Sequence, residues 1–223
     1  MPASQFEQRA CVPQFPPSPS TSPEPLKNRR SRDNWPKDAG ELSRAGMEIQ
    51  RRPLTAQEAD QIVGDIRFCP DITGYSKEEW MGGKDIFALV DLADGKLLGA
   101  ILVHHLAFKW SEIAVVFVRP EYRGCGLGRY MLPTVLRTLV HTRRRLLIFF
   151  SDERMRSVVT DCGFETYDSP QAFFARHFWR GVFLRYVYKP QWLANSYRRR
   201  ELRRKKRCFN ADYAFRIGLY RGT

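Results

Sequence analysis

The sequence predicts a mixed α/β domain in which helices cover a sheet that contains a hairpin. Three observations support this class. Strand-like and helix-like segments alternate in the order β-α-α-β-β-β-α-β-α-β-β between residues 47 and 188. Asp94-Gly95 separates two apolar segments, as in a tight antiparallel hairpin. The apolar run at residues 115–118 leads through a glycine-rich loop into an amphipathic helix.

The first 46 residues differ in composition from the rest of the chain. Residues 15–25 consist mainly of proline, serine and threonine, and such a stretch cannot bury a core. We therefore predict a disordered proline- and serine-rich segment at residues 1–46, a folded domain at 47–188 and a basic C-terminal tail at 189–223. Whether residues 1–46 are a targeting segment stays open, although their five acidic residues argue against a transit peptide.

Local signals define the first half of the domain. A brief alternation at residues 47–54 predicts a strand. Thr55 with Glu58 and Ser76 with Glu79 match the capping-box pattern, so each pair predicts a helix N-terminus. The first helix is expected to end near residue 68. Three strands are then predicted, over residues 85–92, 97–108 and 111–118.

The second half begins with a helix from Arg129, because the apolar residues that follow recur at helical spacing. Residues 146–150 predict a short buried strand. A helix is expected over residues 152–162, closed by Gly163 in the position of a C-cap. Residues 164–167 and 178–188 are predicted as two further strands.

The glycine-rich loop predicts an anion-binding site. Pro120 ends the strand because it cannot donate a hydrogen bond to a sheet. Gly124, Gly126 and Gly128 follow at alternate positions, and glycines let backbone N–H groups converge on a ligand. The next helix adds free N–H donors and the positive end of its dipole. A pyrophosphate suits such a site; the alternative is a strand-to-helix turn that holds no ligand.

Two other phosphate-binding loops do not match this stretch. The P-loop requires a Gly-Lys pair followed by a hydroxyl residue, and no such lysine follows here. The dinucleotide fingerprint is Gly-x-Gly-x-x-Gly, whereas the spacing here is Gly-x-Gly-x-Gly with Arg123 in front.

The acetyl-CoA loop of the GCN5-related N-acetyltransferase (GNAT) superfamily resembles the stretch Val118-Arg119-Pro120-Glu121-Tyr122-Arg123-Gly124-Cys125-Gly126-Leu127-Gly128. The order of elements over residues 47–188 is similar to the topology of that family. The resemblance implies a GNAT fold, with a mostly antiparallel sheet flanked by helices and central strands that splay to form the acetyl-CoA cleft. It also implies an N-acetyltransferase that transfers acetyl from acetyl-CoA to a primary amine of a small molecule, peptide or protein.

The resemblance further implies which residues hold acetyl-CoA. The backbone of the strand before the loop pairs with the pantetheine arm in this family, which corresponds here to Val116, Phe117 and Val118. Arg123 stands at the first motif position, and Arg129 adds a cation near the phosphates. The residues that would bind the pyrophosphate between these two arginines are Gly124, Cys125, Gly126, Leu127 and Gly128.

Glu112 is the candidate catalytic base. Some protein-acetylating members of the family carry a catalytic Glu eleven residues before the motif arginine, and a carboxylate there can take the amine proton. The alternative is a solvated Glu at a strand start. Many relatives use a tyrosine as general acid, but its position is Val159 here. Tyr130 and Tyr167 are the substitutes that we consider, and we select Tyr167; water is the remaining alternative.

No metal site is expected. His104 and His105 are adjacent in a predicted strand and therefore face opposite sides of the sheet. The five cysteines are scattered and form no Cys-x-x-Cys pair, which argues against structural zinc and favours a reducing, cytoplasmic location. Organelle or nuclear targeting stays open. No apolar run is long enough to span a bilayer, so we expect no membrane association.

Positive charge is concentrated near the C-terminus. The chain has a net charge of +13, and residues 171–223 contain fourteen basic and two acidic residues, a net +12. Arginines combined with aromatic residues suit RNA, a ribosome or another polyanion. The alternative is a solvated tail or a localisation signal. A non-catalytic acyl-CoA- or RNA-binding module of GNAT fold is therefore the second functional hypothesis.

Overall fold

The computed structural model describes residues 46–142, 144–209 and 213–220, without the side chains of Val187 and Gln191. The predicted disordered segment at residues 1–46 lies outside this part, except for Gly46. Seven strands in the described part form one sheet. They are β1 Met47–Arg51, β2 Asp85–Asp91, β3 Leu97–Leu106, β4 Trp110–Val118, β5 Arg145–Phe150, β6 Phe164–Tyr167 and β7 Arg216–Tyr220.

Helices connect these strands and extend beyond them. The α-helices are α1 Ala56–Arg67, α2 Lys77–Gly82, α3 Leu127–Val140, α4 Glu153–Asp161, α5 Pro170–Arg176, α6 Phe178–Phe183, α7 Lys189–Ala194 and α8 Ser196–Phe209. A short 3₁₀ turn covers Pro120–Tyr122, and a π-helical segment covers Leu184–Tyr188.

The sheet has the strand order β1-β2-β3-β4-β5-β7-β6. Every neighbouring pair is antiparallel except β4 and β5, which are parallel. The predicted mixed α/β fold with a mostly antiparallel sheet flanked by helices is therefore confirmed.

Both capping boxes form as predicted. The Thr55 hydroxyl accepts from the Glu58 backbone N–H at 3.3 Å, and the Glu58 carboxylate accepts from the Thr55 N–H at 2.8 Å. Ser76 and Glu79 make the same reciprocal pair at 3.3 Å and 2.9 Å. These contacts satisfy backbone donors that a helix N-terminus would otherwise leave free, so α1 and α2 begin where the sequence predicts.

Both faces of the central sheet are covered. Residues 86–90 of β2 are all buried, including side chains that alternate between the two faces. α3 packs against β3 and β4. α1 and α2 join one face of β2, β3 and β4 in a core cluster that includes Ala59, Ile62, Ile66, Trp80, Ile86, Ala88, Leu102, Val115 and Phe117.

A β-bulge in β4 separates this strand from β5. Leu102 pairs with Val115 while Val103 pairs with Ile113, so Ala114 is an extra residue in β4. A bulge bends its strand and increases its twist. The parallel pairing with β5 extends only as far as Ile113 and then stops. The bulge therefore marks the point where the two strands diverge.

The prediction of a strand over residues 178–188 is wrong, because these residues form α6 and the π-helical segment. Their aromatic and β-branched composition favours a strand in isolation, but such preferences depend on packing. Here the helical conformation buries Phe183 and Leu184 in a cluster with Trp110. The Phe183 ring stacks on Trp110 with 5.0 Å between the ring centroids.

We predicted residues 189–223 as a basic C-terminal tail, and the described part of this range contributes α7, α8 and β7 to the structure. β7 lies inside the sheet between β5 and β6. The interpretation of the arginine-rich run as wholly solvated is wrong for Arg198 and Lys205, which are 5% and 0% exposed. Residue charge alone did not reveal this burial, because it depends on acceptors elsewhere in the fold.

Lys205 and Arg204 of α8 cap the C-terminal end of α1. The Lys205 ammonium donates to the backbone carbonyls of Ile66 at 2.6 Å and Cys69 at 2.8 Å, and also to Ile72. Arg204 donates to the carbonyl of Arg67 at 2.6 Å. The last carbonyls of a helix have no partner within it and favour a cation. α8 is thus fixed to the body of the domain.

Among the described residues, no helix is both long enough and apolar enough to cross a membrane.

Candidate active site

The gap between β4 and β5 opens into a cavity of about 440 Å³, which we call the first cavity. Glu112 and the β4 residues that follow it form one wall, and residues 148–150 of β5 form another. Five of the residues predicted to bind acetyl-CoA line this cavity, namely Val116, Phe117, Val118, Arg123 and Gly128. The structure therefore brings the end of β4 and the start of α3 together around one space.

β4 offers an unpaired strand edge to the first cavity. Beyond Ile113, β4 still pairs with β3 but has no partner strand on its β5 side among the described residues. Two carbonyls of this stretch have side-chain partners: Ala114 accepts from the Tyr75 hydroxyl at 2.9 Å, and Val118 accepts from Arg123 Nε at 3.1 Å. An extended ligand with amide groups can add to such an edge as another strand would.

The glycine-rich loop is open toward solvent and rich in free donors. Gly124 and Gly126 have φ angles of +82° and +78°, a left-handed conformation that favours glycine. A Cβ atom on either would meet no atom within 4 Å. Within the described ranges, no backbone N–H group of residues 124–129 donates to a backbone carbonyl. This arrangement before α3 fits a pyrophosphate.

The remaining loop side chains have other roles. Leu127 is 1% exposed and belongs to the buried face of α3, whereas Cys125 is partly exposed. Arg129 donates to Asp161 at 2.8 Å and to Ser157 at 2.7 Å, so its guanidinium is held against α4. Binding of the Arg129 guanidinium to the phosphates stays a prediction. The backbone N–H of Arg129 belongs to the open loop and donates to no backbone carbonyl of the described residues.

Glu112 lies where two cavities meet. It is 3% exposed, so it is not the solvated residue of our alternative interpretation. A second cavity of about 430 Å³ borders Glu112 and Tyr188, and both residues also line the first cavity. Trp192 is likewise shared by the two cavities. The Tyr188 hydroxyl donates to Glu112 Oε1 at 2.5 Å.

A network of polar side chains surrounds Glu112 on the side of β3. His104 Nδ1 lies 3.7 Å from Glu112 Oε2, and His104 Nε2 lies 4.0 Å from Glu79 Oε1. Arg198 donates to the same Glu79 oxygen at 2.6 Å. The guanidinium carbon of Arg198 lies 4.4 Å from the centre of the Tyr75 ring, in cation–π geometry. α8 therefore contributes directly to the surroundings of Glu112.

Tyr188 is a site residue that the sequence analysis missed. Burial, and then the nearby Glu112 carboxylate, raise the pKa of the Tyr188 phenol well above 10.0. Its ring stacks on Phe149 of β5 with 4.9 Å between centroids. Tyr188 thus contacts both of the strands that diverge. No local pattern identifies it, because its partners are distant in the sequence and its segment was expected to be a strand.

The structure does not bring Tyr167 to Glu112. Tyr167 lies on β6, where its hydroxyl hydrogen-bonds with His177 Nε2 at 2.7 Å and its ring packs edge-on against Phe173. It lines neither of the two cavities that border Glu112. Tyr130, the other candidate, is buried in α3 and is also absent from both linings.

The two adjacent histidines face different partners, as expected for neighbours in a strand. His104 faces Glu112, whereas His105 hydrogen-bonds with Ser111 at 2.8 Å and contacts Asp85. In the part of the chain that the structure describes, no group of three or more His, Cys, Asp or Glu side chains is arranged to hold a metal ion.

The model of the acetyltransferase (GNAT) family matches residues 48–164, just over half of the chain. The chain belongs to this family. The predicted resemblance is therefore confirmed. Acetyl-CoA is the acetyl donor of this family. No curated protein matches the chain.

Two solved structures have the same fold. N-acetylglutamate synthase from Neisseria gonorrhoeae, complexed with coenzyme A and N-acetyl-glutamate, is similar with a TM-score of 0.52 and 15% identity. The match covers 79% of this GNAT chain but only 35% of the synthase. Rv2747 from Mycobacterium tuberculosis, in complex with CoA and NLQ, has a TM-score of 0.50 and 15% identity, with 78% and 98% of the two chains covered. At these identities the likeness shows the fold alone.

Proposed function

We propose that this GNAT chain is an N-acetyltransferase that moves the acetyl group of acetyl-CoA to a primary amine bound in the second cavity. The observation that carries this proposal is the position of the Glu112–Tyr188 pair. The two side chains are hydrogen-bonded to each other, and both line both cavities. A donor held in the first cavity and an acceptor held in the second would therefore meet at this pair.

Two parts of the first cavity suit two parts of acetyl-CoA. The free donors of the glycine-rich loop would hold the pyrophosphate, with Arg123 beside it. The unpaired edge of β4 at Val116, Phe117 and Val118 would pair with the amides of the pantetheine arm. This placement directs the thioester along β4 toward Glu112.

In this proposal Glu112 is the general base and Tyr188 the general acid. The neutral amine attacks the thioester carbonyl carbon, so that an N–C bond forms and the C–S bond breaks. Glu112 takes the proton that the nitrogen loses, and Tyr188 gives its proton to the departing sulfur. Glu112 then returns a proton to Tyr188 across their hydrogen bond, which balances the reaction. Tyr188 replaces Tyr167 as our candidate because it contacts Glu112.

A thiol-release screen tests the proposal. Acetyl-CoA is offered with small amines, peptides and ribosomal proteins, and the best acceptor is then used with Glu112→Gln. This variant keeps the shape of the side chain and removes its basicity, so kcat is expected to fall by roughly 10²–10⁴. The dissociation constant for acetyl-CoA is expected to stay unchanged. Glu121→Gln, in the exposed turn after β4, is the matched control.

A turnover of Glu112→Gln within about threefold of the wild type would remove Glu112 from the mechanism. Absence of thiol release with every acceptor class, despite normal acetyl-CoA binding, would favour the second hypothesis of a non-catalytic acyl-CoA-binding module.

One observation supports an additional polyanion partner, such as RNA or a ribosome. The outward face of α8 presents exposed basic side chains that form no ion pair with the described residues. They are Arg199, Arg200, Arg203, Lys206 and Arg207. Clustered cations attract nucleic acids through counterion release, whatever the base sequence. The buried face of the same helix supports the active site, so a partner bound here would lie next to the catalytic domain.

A further inference from the structure

The second cavity differs from the first in the residues that it does not share. Apart from Glu112, Tyr188 and Trp192, its lining comes from the two residues before β2, the end of β3 and the region from α7 to α8. Its polar side chains outside the shared set are Lys84, His104, His105, Asn195 and Arg198. The cavity therefore combines the proposed base with a group of basic residues.

Most of the basic side chains in this cavity already have an acidic partner. Arg198 is neutralised by Glu79, which accepts from it at 2.6 Å. His105 is in contact with Asp85. Lys84 is exposed and forms no ion pair with any described residue. Among the described residues of the lining, Glu112 is the single carboxylate and Lys84 is the cation without an acidic partner.

The register of the sheet brings the backbones of Lys84 and Glu112 near each other. Asp85 pairs with Val103 and His104 pairs with Glu112, so Lys84, the residue before Asp85, lies beside His104. Lys84, just before β2, thus lies next to the pair that His104 of β3 forms with Glu112 of β4. Adjacent strands are about 4.8 Å apart, which puts the Lys84 and Glu112 backbones roughly 10 Å from each other. The flexible stem of a lysine lets its ammonium cover part of that distance.

We propose that the acceptor is a small amine that also carries a carboxylate, as an amino acid does. This inference rests on the proposed function. The amine would face Glu112 and Tyr188, and the carboxylate would face Lys84. One unpaired cation balances one carboxylate, whereas a phosphate monoester carries nearly two negative charges at neutral pH. A cavity of about 430 Å³ is in the range that holds small molecules.

A carboxylate provides selectivity as well as affinity. An amine that lacks an anionic group would form no ion pair with Lys84 and would therefore lose this attraction. A carboxylate placed at the wrong end of the cavity would face Glu112, where like charges repel. The cavity therefore favours one orientation of the acceptor, with the amine at the catalytic pair.

Matched pairs of acceptors test this inference. Phenylalanine is compared with phenethylamine, leucine with isoamylamine, and histidine with histamine, by thiol release from acetyl-CoA. The amino acid of each pair is expected to have a kcat/KM at least about tenfold higher. In Lys84→Met this preference is expected to fall to about threefold or less, through a higher KM for the amino acid. Lys84→Arg should keep the preference, and Lys96→Met, at an exposed turn between β2 and β3, is the control.

Two results would overturn the inference while the proposed function stands. One is that the decarboxylated amines are acetylated as fast as the amino acids or faster, or that peptides are acetylated but neither member of any pair is. The other is an unchanged preference in Lys84→Met. If neither the pairs nor any peptide or protein acceptor releases thiol, although acetyl-CoA binds, then the proposed function fails and this inference fails with it.

Discussion

The hydroxyl of Tyr188 donates to Oε1 of Glu112 at 2.5 Å, across 76 positions in the sequence. Glu112 lies on β4, where pairing with β5 is about to end, and the Tyr188 ring stacks on Phe149 of β5. One side chain thus contacts both strands at the point where they separate. This relationship makes the helical segment after β6 part of the candidate active site.

Replacing Tyr188 by Phe is expected to lower kcat at least about tenfold, because it removes the proposed acid and its hydrogen bond to Glu112. The ring remains, so the stacking on Phe149 and the affinity for acetyl-CoA should be retained. Steady-state kinetics and calorimetry measure the two quantities. Tyr186→Phe, in the same segment but 68% exposed, is the control. Wild-type kcat in Tyr188→Phe would assign the tyrosine to structure alone.

The pH dependence of kcat provides a separate check. The pKa of Tyr188 is raised well above 10.0. At pH 10 and below, its phenol therefore keeps the proton that a general acid needs. We expect no fall of the wild-type kcat between about pH 8 and pH 10. A decline with a midpoint inside this interval would indicate an acid other than Tyr188.

Gly128→Glu is expected to abolish acetyl-CoA binding. Gly128 lines the first cavity in the first turn of α3, and a Cβ atom there meets nothing within 4 Å. The new carboxylate would therefore fit without disturbing the backbone and would repel the pyrophosphate. Gly128→Ala, which adds no charge, should bind acetyl-CoA normally by calorimetry. Normal binding by a folded Gly128→Glu protein would show that the pyrophosphate is held elsewhere.

Lys205→Met is expected to lower the free energy of unfolding by about 2–4 kcal/mol, because buried carbonyls of α1 and the following loop lose their donor. Lys206→Met, one position away and exposed, should change it by less than about 0.5 kcal/mol. Urea titration followed by circular dichroism measures both. Equal stabilities of the two variants would contradict the capping role of Lys205.

Replacing Arg199, Arg200 and Arg203 together by Gln is expected to weaken RNA binding and to reduce its salt dependence, since fewer phosphates are neutralised and fewer counterions are released. The same number of Arg→Gln changes at other exposed positions, namely Arg137, Arg154 and Arg176, provides the control. Truncation is unsuitable here because it also removes Arg198, Lys205 and β7 from the fold. Unchanged RNA affinity at low salt would exclude this face of α8 as a binding surface.

The elements up to β6 were predictable because their signals are local. Thr55 with Glu58 and Ser76 with Glu79 lie within one helical turn, and Gly163 ends α4 in the left-handed conformation expected of a C-cap. The glycine-rich loop is also a local signal, because glycine favours the left-handed conformation that Gly124 and Gly126 adopt. Such patterns need no knowledge of the rest of the chain, so the sequence contains them in full.

The region after β6 depends on contacts that no local pattern contains. Ile217 and Leu219 alternate with more polar positions, a period-two signal that the surrounding charge obscured. Lys205 is buried only because three carbonyls more than 130 positions earlier accept its hydrogens. Glu112 could be proposed from its spacing to Arg123, but Tyr188 could be recognised only once the fold placed it beside that carboxylate.

The position of β7 has a consequence for how the protein is made. β6 pairs with β7 alone among the described strands, and β7 is synthesised roughly fifty residues after β6. A growing chain on the ribosome therefore exposes the edges of β5 and β6 until β7 becomes available. Unpaired edges are open to other chains during that interval. We expect chaperones that shield strand edges to raise the yield of native protein.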